Sequence, residues 1–182
     1  LGAAWAAPGE LTADAARDAA LAGARMIIAN QTPDGKFSYV VRGPSGERSD
    51  KGYNFPRHAG TTWFLARVAE RTGDPEVRAG ADRALAWMLE RQSATAQGGS
   101  FVADPRRKDG QAWVGTTALA ALAADSLAHP IATQWGALLA RSVDERGQVR
   151  GEIDRSTGIF AAQAQNPYGQ GQTLLALAAL VR

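Results

Sequence analysis

Gly60-Thr61-Thr62-Trp63-Phe64-Leu65-Ala66 joins a glycine and a pair of hydroxyls to an apolar run, and the chain returns to that phrase twice. The other copies are Gly115-Thr116-Thr117-Ala118-Leu119-Ala120-Ala121 and Gly171-Gln172-Thr173-Leu174-Leu175-Ala176-Leu177. From Gly60 to Gly115 is 55 positions and from Gly115 to Gly171 is 56. A fixed period of that size marks an array of helical units, none of which buries its apolar face alone.

Each apolar run follows a more charged helical segment. Val77, Ala81, Ala84, Leu85, Met88 and Leu89 fall on one helical face, with Arg78, Asp82, Arg83, Glu90 and Arg91 on the other positions. That spacing is an amphipathic surface helix. Its start is well marked: Gly73 ends the preceding helix, Asp74 caps, Pro75 takes the first helical position and Glu76 complements the dipole. Residues 12–29 read the same way, and Pro130 opens a third such helix running to about residue 142. Residues 116–124 and 173–181 carry no charge, as expected of helices enclosed by protein. The link between the two helix types also recurs, as Gln31-Thr32-Pro33-Asp34-Gly35-Lys36-Phe37, as Gln92 with Gly98, Gly99 and Phe101, and more loosely as Val143 with Gly147 and Val149.

The fold expected is therefore all-α. Helical hairpins of about 55 residues, outer helix then inner helix, form a partial α/α toroid across residues 1–182, with short extended stretches at 37–41 and 101–103. About three units fall short of a closed ring, so a second copy or further chain is expected to complete it. In particular, residues 173–181 are expected to pack against material outside the three units.

Composition removes several functions. With no cysteine and two histidines, neither a zinc site nor a cysteine nucleophile is expected, and nothing in the sequence asks for a metal or a cofactor. A formal charge of +2 makes no case for nucleic acid. No apolar stretch reaches the ~20 residues of a membrane span. There is no P-loop, dinucleotide fingerprint, nucleophile elbow or zincin motif. Leu1-Gly2-Ala3-Ala4-Trp5-Ala6-Ala7-Pro8 reads either as the stub of an export signal, favouring a periplasmic or secreted location, or as an alanine-rich lead-in.

Strict alternation of helix types places every outer-to-inner loop, and every inner-helix N-terminus, at one end of the array. Free N–H groups there suit anionic or hydroxyl-rich ligands. Phe37, Tyr39, Tyr53, Phe55, Phe101, Trp113, Phe160 and Tyr168 all fall in these loops. The densest cluster is Tyr53-Asn54-Phe55-Pro56-Arg57-His58. Arg57 reads as a carboxylate clamp, His58 as a general acid or base, and Tyr53 as a second proton-transfer group or a stacking ring. The competing reading has His58 satisfying carbonyls of a neighbouring helix and Arg57 packed across a loop. Asn54, Gln111, Trp113, Gln170 and Gln172 are expected to line the same space, as is Tyr168. Against that, a large ring such as Trp113 or Tyr168 at a helix mouth plugs the core equally well, and Thr61, Thr116 and Asn166 are potential caps. Asp50, Asp109, Glu152 and Asp154 are the loop carboxylates from which a hydrolase would draw its pair. Arg106-Arg107-Lys108 reads as a solvated loop, and His129 as structural.

The stretch from Tyr53 to Thr61, followed by Thr72-Gly73-Asp74-Pro75, resembles six-hairpin glycosidase-like toroids. Tyr168-Gly169-Gln170-Gly171-Gln172-Thr173 is similar to the helix start of glucuronyl C5-epimerase-like domains. The resemblance implies a carbohydrate-active protein acting on an acidic oligosaccharide or polysaccharide by epimerisation, elimination or hydrolysis. In the first two reactions Arg57 would neutralise the substrate carboxylate, while His58, Tyr53 or Tyr168 moved the neighbouring proton. The alternative is a non-catalytic α-solenoid scaffold for a protein partner, on which Tyr53, Arg57, Trp113 and Tyr168 would be dispersed rather than gathered.

Overall fold

A computed structural model describes residues 12–161 and 166–181, so the Leu1 to Pro8 stretch lies outside the described residues. The chain is helix-rich, 54% helical with six helices among the described residues. α1 (Ala13–Ala29), α3 (Pro75–Leu89) and α5 (Ile131–Ser142) alternate with α2 (Phe55–Thr72), α4 (Val114–Ser126) and α6 (Pro167–Leu180). The second set lies side by side, α2 on α4 and α4 on α6, while α3 and α5 pack across the outside.

Local chemistry fixes most boundaries. Thr12 caps α1 through its hydroxyl to the Ala15 N–H. Gly73 adopts φ 71° and closes α2, and the Asp74 carboxylate accepts from Glu76 and Val77 N–H to open α3. These are the stop and start expected there. α4 is buried along residues 114–124, because an alanine-rich, uncharged helix can be approached on every side. Around it gather Leu65 from α2, Met88 from α3 and Trp135, Leu138 and Leu139 from α5, all without solvent exposure.

The all-α expectation needs correction. The links between helices are antiparallel pairs: β1 (Val40–Val41) with β2 (Arg48–Ser49), β3 (Gln92–Ala94) with β4 (Ser100–Val102), and β5 (Gln111–Trp113) with β6 (Glu152–Asp154). Isolated bridges join Gln31 to Phe37 and Val143 to Val149. Loops of this length leave many backbone groups to satisfy, and pairing them with one another is the economical solution. The β5–β6 pair reaches across units and ties the α3–α4 loop to the α5–α6 loop.

The recurring glycines also sit differently from expectation. Gly60 and Gly171 lie inside α2 and α6 rather than at helix starts, and Gly115 is in the first turn of α4. Gly115 has a packing reason. A Cβ there would stand 2.2 Å from Gln172 Oε1 and 3.1 Å from Gly169 Cα, so its absence lets the starts of α4 and α6 touch. Finally, α6 is enclosed on one face only: Thr173 and Ala176 are buried, while Leu174 and Leu175 are about half exposed.

Candidate functional site

The N-termini of α2, α4 and α6 come together around one cleft of about 360 Å³, lined by Asn54, Pro56 and Arg57, by Trp113, Gly115 and Thr116, and by Asn166, Tyr168, Gly169 and Gln172. Asn54 caps α2 by accepting from the Arg57 N–H at 3.0 Å, and Asn166 caps α6 by accepting from the Tyr168 N–H at 2.9 Å. α4 has no side-chain cap, and Thr61 and Thr116 cap nothing. The Val114 N–H at the α4 start donates to the Gly151 carbonyl at 2.9 Å, and the remaining first-turn N–H groups have no side-chain acceptor, which gives this helix end partial positive charge.

Arg57 stands at the cleft margin. It donates to the Tyr39 hydroxyl, and its guanidinium lies 5.4 Å from the centroid of the Tyr39 ring. Among the described residues no carboxylate pairs with it. Tyr168 is 80% exposed and Trp113 is partly so. The back of the Trp113 ring is held by the Arg107 guanidinium at 4.2 Å from its centroid, leaving one face for a ligand. Three of the four residues whose gathering distinguishes a cleft from a scaffold thus share one space.

The fourth, Tyr53, is buried behind it with His58. The imidazole is 2% exposed, lies 4.4 Å from the Trp87 ring in a stacked arrangement, and is 4.8 Å from Phe37. Nε2–H donates to the Ala84 carbonyl at 3.0 Å, which leaves Nδ1 to accept from the Tyr53 hydroxyl at 2.6 Å. The same hydroxyl oxygen accepts from the Phe37 N–H at 3.3 Å. Burial pushes the His58 pKa down to about 4 and the Tyr53 pKa up to about 12. Both groups are neutral near pH 7 and are held by the protein. The expectation that they shuttle protons meets this geometry: each polar atom of the pair already has a partner, one of them the α3 backbone.

Two expected ligand contacts lie elsewhere. Gln111 turns its amide to Asp154 at 3.4 Å across the β5–β6 pair, and Gln170 is not among the residues lining the cleft. The loop carboxylates are also engaged. Asp50 pairs with Lys36, Asp109 with Arg107, and Glu152 with Arg107 at 3.5 Å. Asp154 accepts from Ser156 and Thr157. A side-chain bond from Arg107 holds Asp109 down at about 2, and bonds from Ser156 and Thr157 do the same for Asp154. None of the four lines the cleft.

The sequence places Tyr39 among the aromatics at the cleft end but gives Arg107 no part in the site. The Arg106-Arg107-Lys108 run is not simply solvated. Arg106 grips Asp104 and donates to the Tyr53 carbonyl at 2.9 Å, while Arg107 backs Trp113. The flanking Asp104 and Asp109 were the only signal, since two aspartates beside two arginines are the makings of local ion pairs.

No known family profile matches the chain, and no curated protein matches it in sequence. Among solved structures it is similar to an unsaturated glucuronyl hydrolase (UGL) variant with dGlcA-Glc-Rha-Glc, at 19% identity and TM-score 0.56, over 93% of this chain and 51% of that one. This likeness shows an α/α-toroid glycosidase-like fold. The chain spans about half the length of that structure.

Proposed function

We propose that the cleft binds an acidic oligosaccharide or polysaccharide and that the protein is carbohydrate-modifying. The observation that carries this reading is the meeting of three inner-helix N-termini with Arg57, Trp113, Tyr168, Asn54 and Gln172 around one cleft of about 360 Å³. Arg57 takes the uronate carboxylate, since it is the cation at the margin with no carboxylate of its own. Trp113 and Tyr168 stack on sugar rings, and Asn54 and Gln172 bond hydroxyls. A ring held at its back, as Trp113 is by Arg107, offers apolar area at little entropic cost. The carbohydrate-processing structural neighbour supports the same ligand class.

The reaction follows from which groups face the ligand. In elimination or epimerisation Arg57 neutralises the carboxylate, which lowers the barrier to removing the adjacent proton, and Tyr168 is the phenol placed to move it. His58 and Tyr53 serve as a buried prop that sets the α2 start rather than as shuttles. Hydrolysis needs a carboxylate pair, which would have to come from outside the described cleft. We also take the recurring helix pairs as repeats of one unit, with the open ends covered by a second copy or further chain. A scaffold for a protein partner is less well supported, because its expected dispersal of aromatic and basic side chains is not what the cleft presents.

Calorimetric titration with uronate oligosaccharides and neutral ones of equal length tests the reading. Arg57→Gln is expected to weaken uronate binding by about 10- to 100-fold, the worth of a hydrogen bond to a charged group, and to leave neutral sugars unchanged. Equal binding of acidic and neutral saccharides by the unmodified protein overturns it.

A further inference from the structure

The cleft does not end at Arg57. Asn54 and Arg57 also line a hollow of about 180 Å³ with Tyr39 and Thr61, floored by Tyr53 and His58. Phe37, Ser38 and Thr61 are shared between that hollow and a neighbouring one of about 290 Å³, walled by Met26, Ile27, Asn30 and Val41. Across this junction the walls change character. On the Trp113 side they are aromatic, amide and cationic. On the far side four of the seven lining residues are Met26, Ile27, Phe37 and Val41, and Asn30 spends an amide N–H on the Met26 carbonyl at 2.9 Å. Met26 is 60% exposed and Val41 41% exposed.

A single exposed apolar side chain needs no explanation, but several on a concave wall one hollow away from a ligand cleft do. A sugar hydroxyl placed against Met26, Ile27, Phe37 and Val41 would lose water without gaining a partner. The hydroxyls of Ser38 and Thr61 mark the boundary where polar recognition ends. Alone, a hollow of about 290 Å³ is at the lower limit of small-molecule sites at ~300 Å³. As an annex to the cleft it has room for a substituent.

We infer that this annex takes an apolar group, an aryl or alkyl aglycone or an ester acyl, carried next to the uronate whose carboxylate Arg57 holds. The inference rests on the uronate reading of the cleft, and the two fail differently. Phenyl and methyl β-glucuronide, with phenyl and methyl β-glucoside as neutral controls, are titrated into the unmodified protein and into Met26→Glu and Val41→Glu. Both substitutions are at exposed positions, and an unchanged far-ultraviolet spectrum confirms folding. Phenyl glucuronide is expected to bind about tenfold more tightly than methyl glucuronide, equivalent to burying roughly 60 Å² of apolar surface. Each substitution should abolish that preference while methyl glucuronide binding stays as it was. Equal affinities for the two glucuronides, or a phenyl preference that survives both substitutions, overturn the annex and leave the cleft standing. Glucuronides that bind no better than their glucosides, whatever the aglycone, overturn the cleft reading and the annex together.

Discussion

His58 illustrates how one side chain's surroundings decide its role. An imidazole beside a tyrosine invites a catalytic reading, yet this one is stacked on Trp87, donates to the Ala84 carbonyl and accepts from Tyr53. Its contribution to stability has a definite pH dependence. Between the ordinary 6.5 of the unfolded imidazole and the folded value of about 4, the unfolded chain binds more protons, so stability rises with pH across that window. The contribution is complete above about pH 6.5 and is lost as pH falls to about 4, a change of about 3 kcal/mol. Urea unfolding at pH 7 and at pH 4.5 checks this, and His58→Gln should flatten that part of the profile. Truncation is expected to cost more: His58→Ala leaves the Tyr53 hydroxyl and the Ala84 carbonyl without their partner, for a loss of about 3–5 kcal/mol in chemical denaturation. A catalytic histidine on the cleft surface would tolerate the same change with little loss of stability.

At the scale of elements, the site depends on how closely the inner helices start beside one another. Gly115 makes the α4–α6 approach possible, because a Cβ would meet Gln172 Oε1 at 2.2 Å and Gly169 Cα at 3.1 Å. The amide end of Gln172 can swing away, but the Gly169 backbone can yield only if α6 shifts. In Gly115→Ala the gain in helix propensity of about 1 kcal/mol opposes an overpacking cost of about 1–3 kcal/mol. The expected result is a melting temperature unchanged or a few degrees lower, with saccharide affinity clearly reduced because Gln172 leaves the cleft. Unchanged affinity in this variant would show that the contact between the two helix starts is not what shapes the site. The repeated glycine phrase drew attention to Gly115 without separating it from Gly171, whose Cβ position is open.

Across the whole molecule, the ends of the helical array differ from its middle. α4 is enclosed, whereas α6 leaves Leu174 and Leu175 about half exposed, and α1 buries only Ala24 and Ile28. A groove of about 520 Å³ between α1 and α2, lined by Phe64, Val68 and Ala20 and edged by Arg17, Arg67 and Arg71, lies near the α2 C-terminus. Apolar helix faces of this kind are usually covered in helical arrays. Light scattering of the chain by itself is expected to show association, and replacing Leu174 and Leu175 together by aspartate should reduce it without unfolding the protein. A stable monomer at all concentrations would remove the proposal that a second copy covers these faces.

The local instructions were written in the sequence. Gly73, Asp74 and Pro75 set a helix junction through backbone conformation and capping, Thr12 opened α1, and the absence of charge over residues 116–124 permitted an enclosed helix. Each depends on neighbours a few positions away, so it survives reading in one dimension. Alternation of helix types also placed Arg57, Trp113 and Tyr168 at one end, since that follows from chain direction. What a side chain meets across the fold depends on residues roughly 20 to 60 positions distant, and no local pattern encodes it. Only packing decided that the His58 imidazole is closed off by Ala84 and Trp87, that Gln111 turns to Asp154, and that Arg155 reaches the Asp104 carbonyl. Only the shape of the folded surface decided that α6, as apolar as α4, keeps one face uncovered, because enclosure requires a neighbour and a helix's own composition cannot supply one.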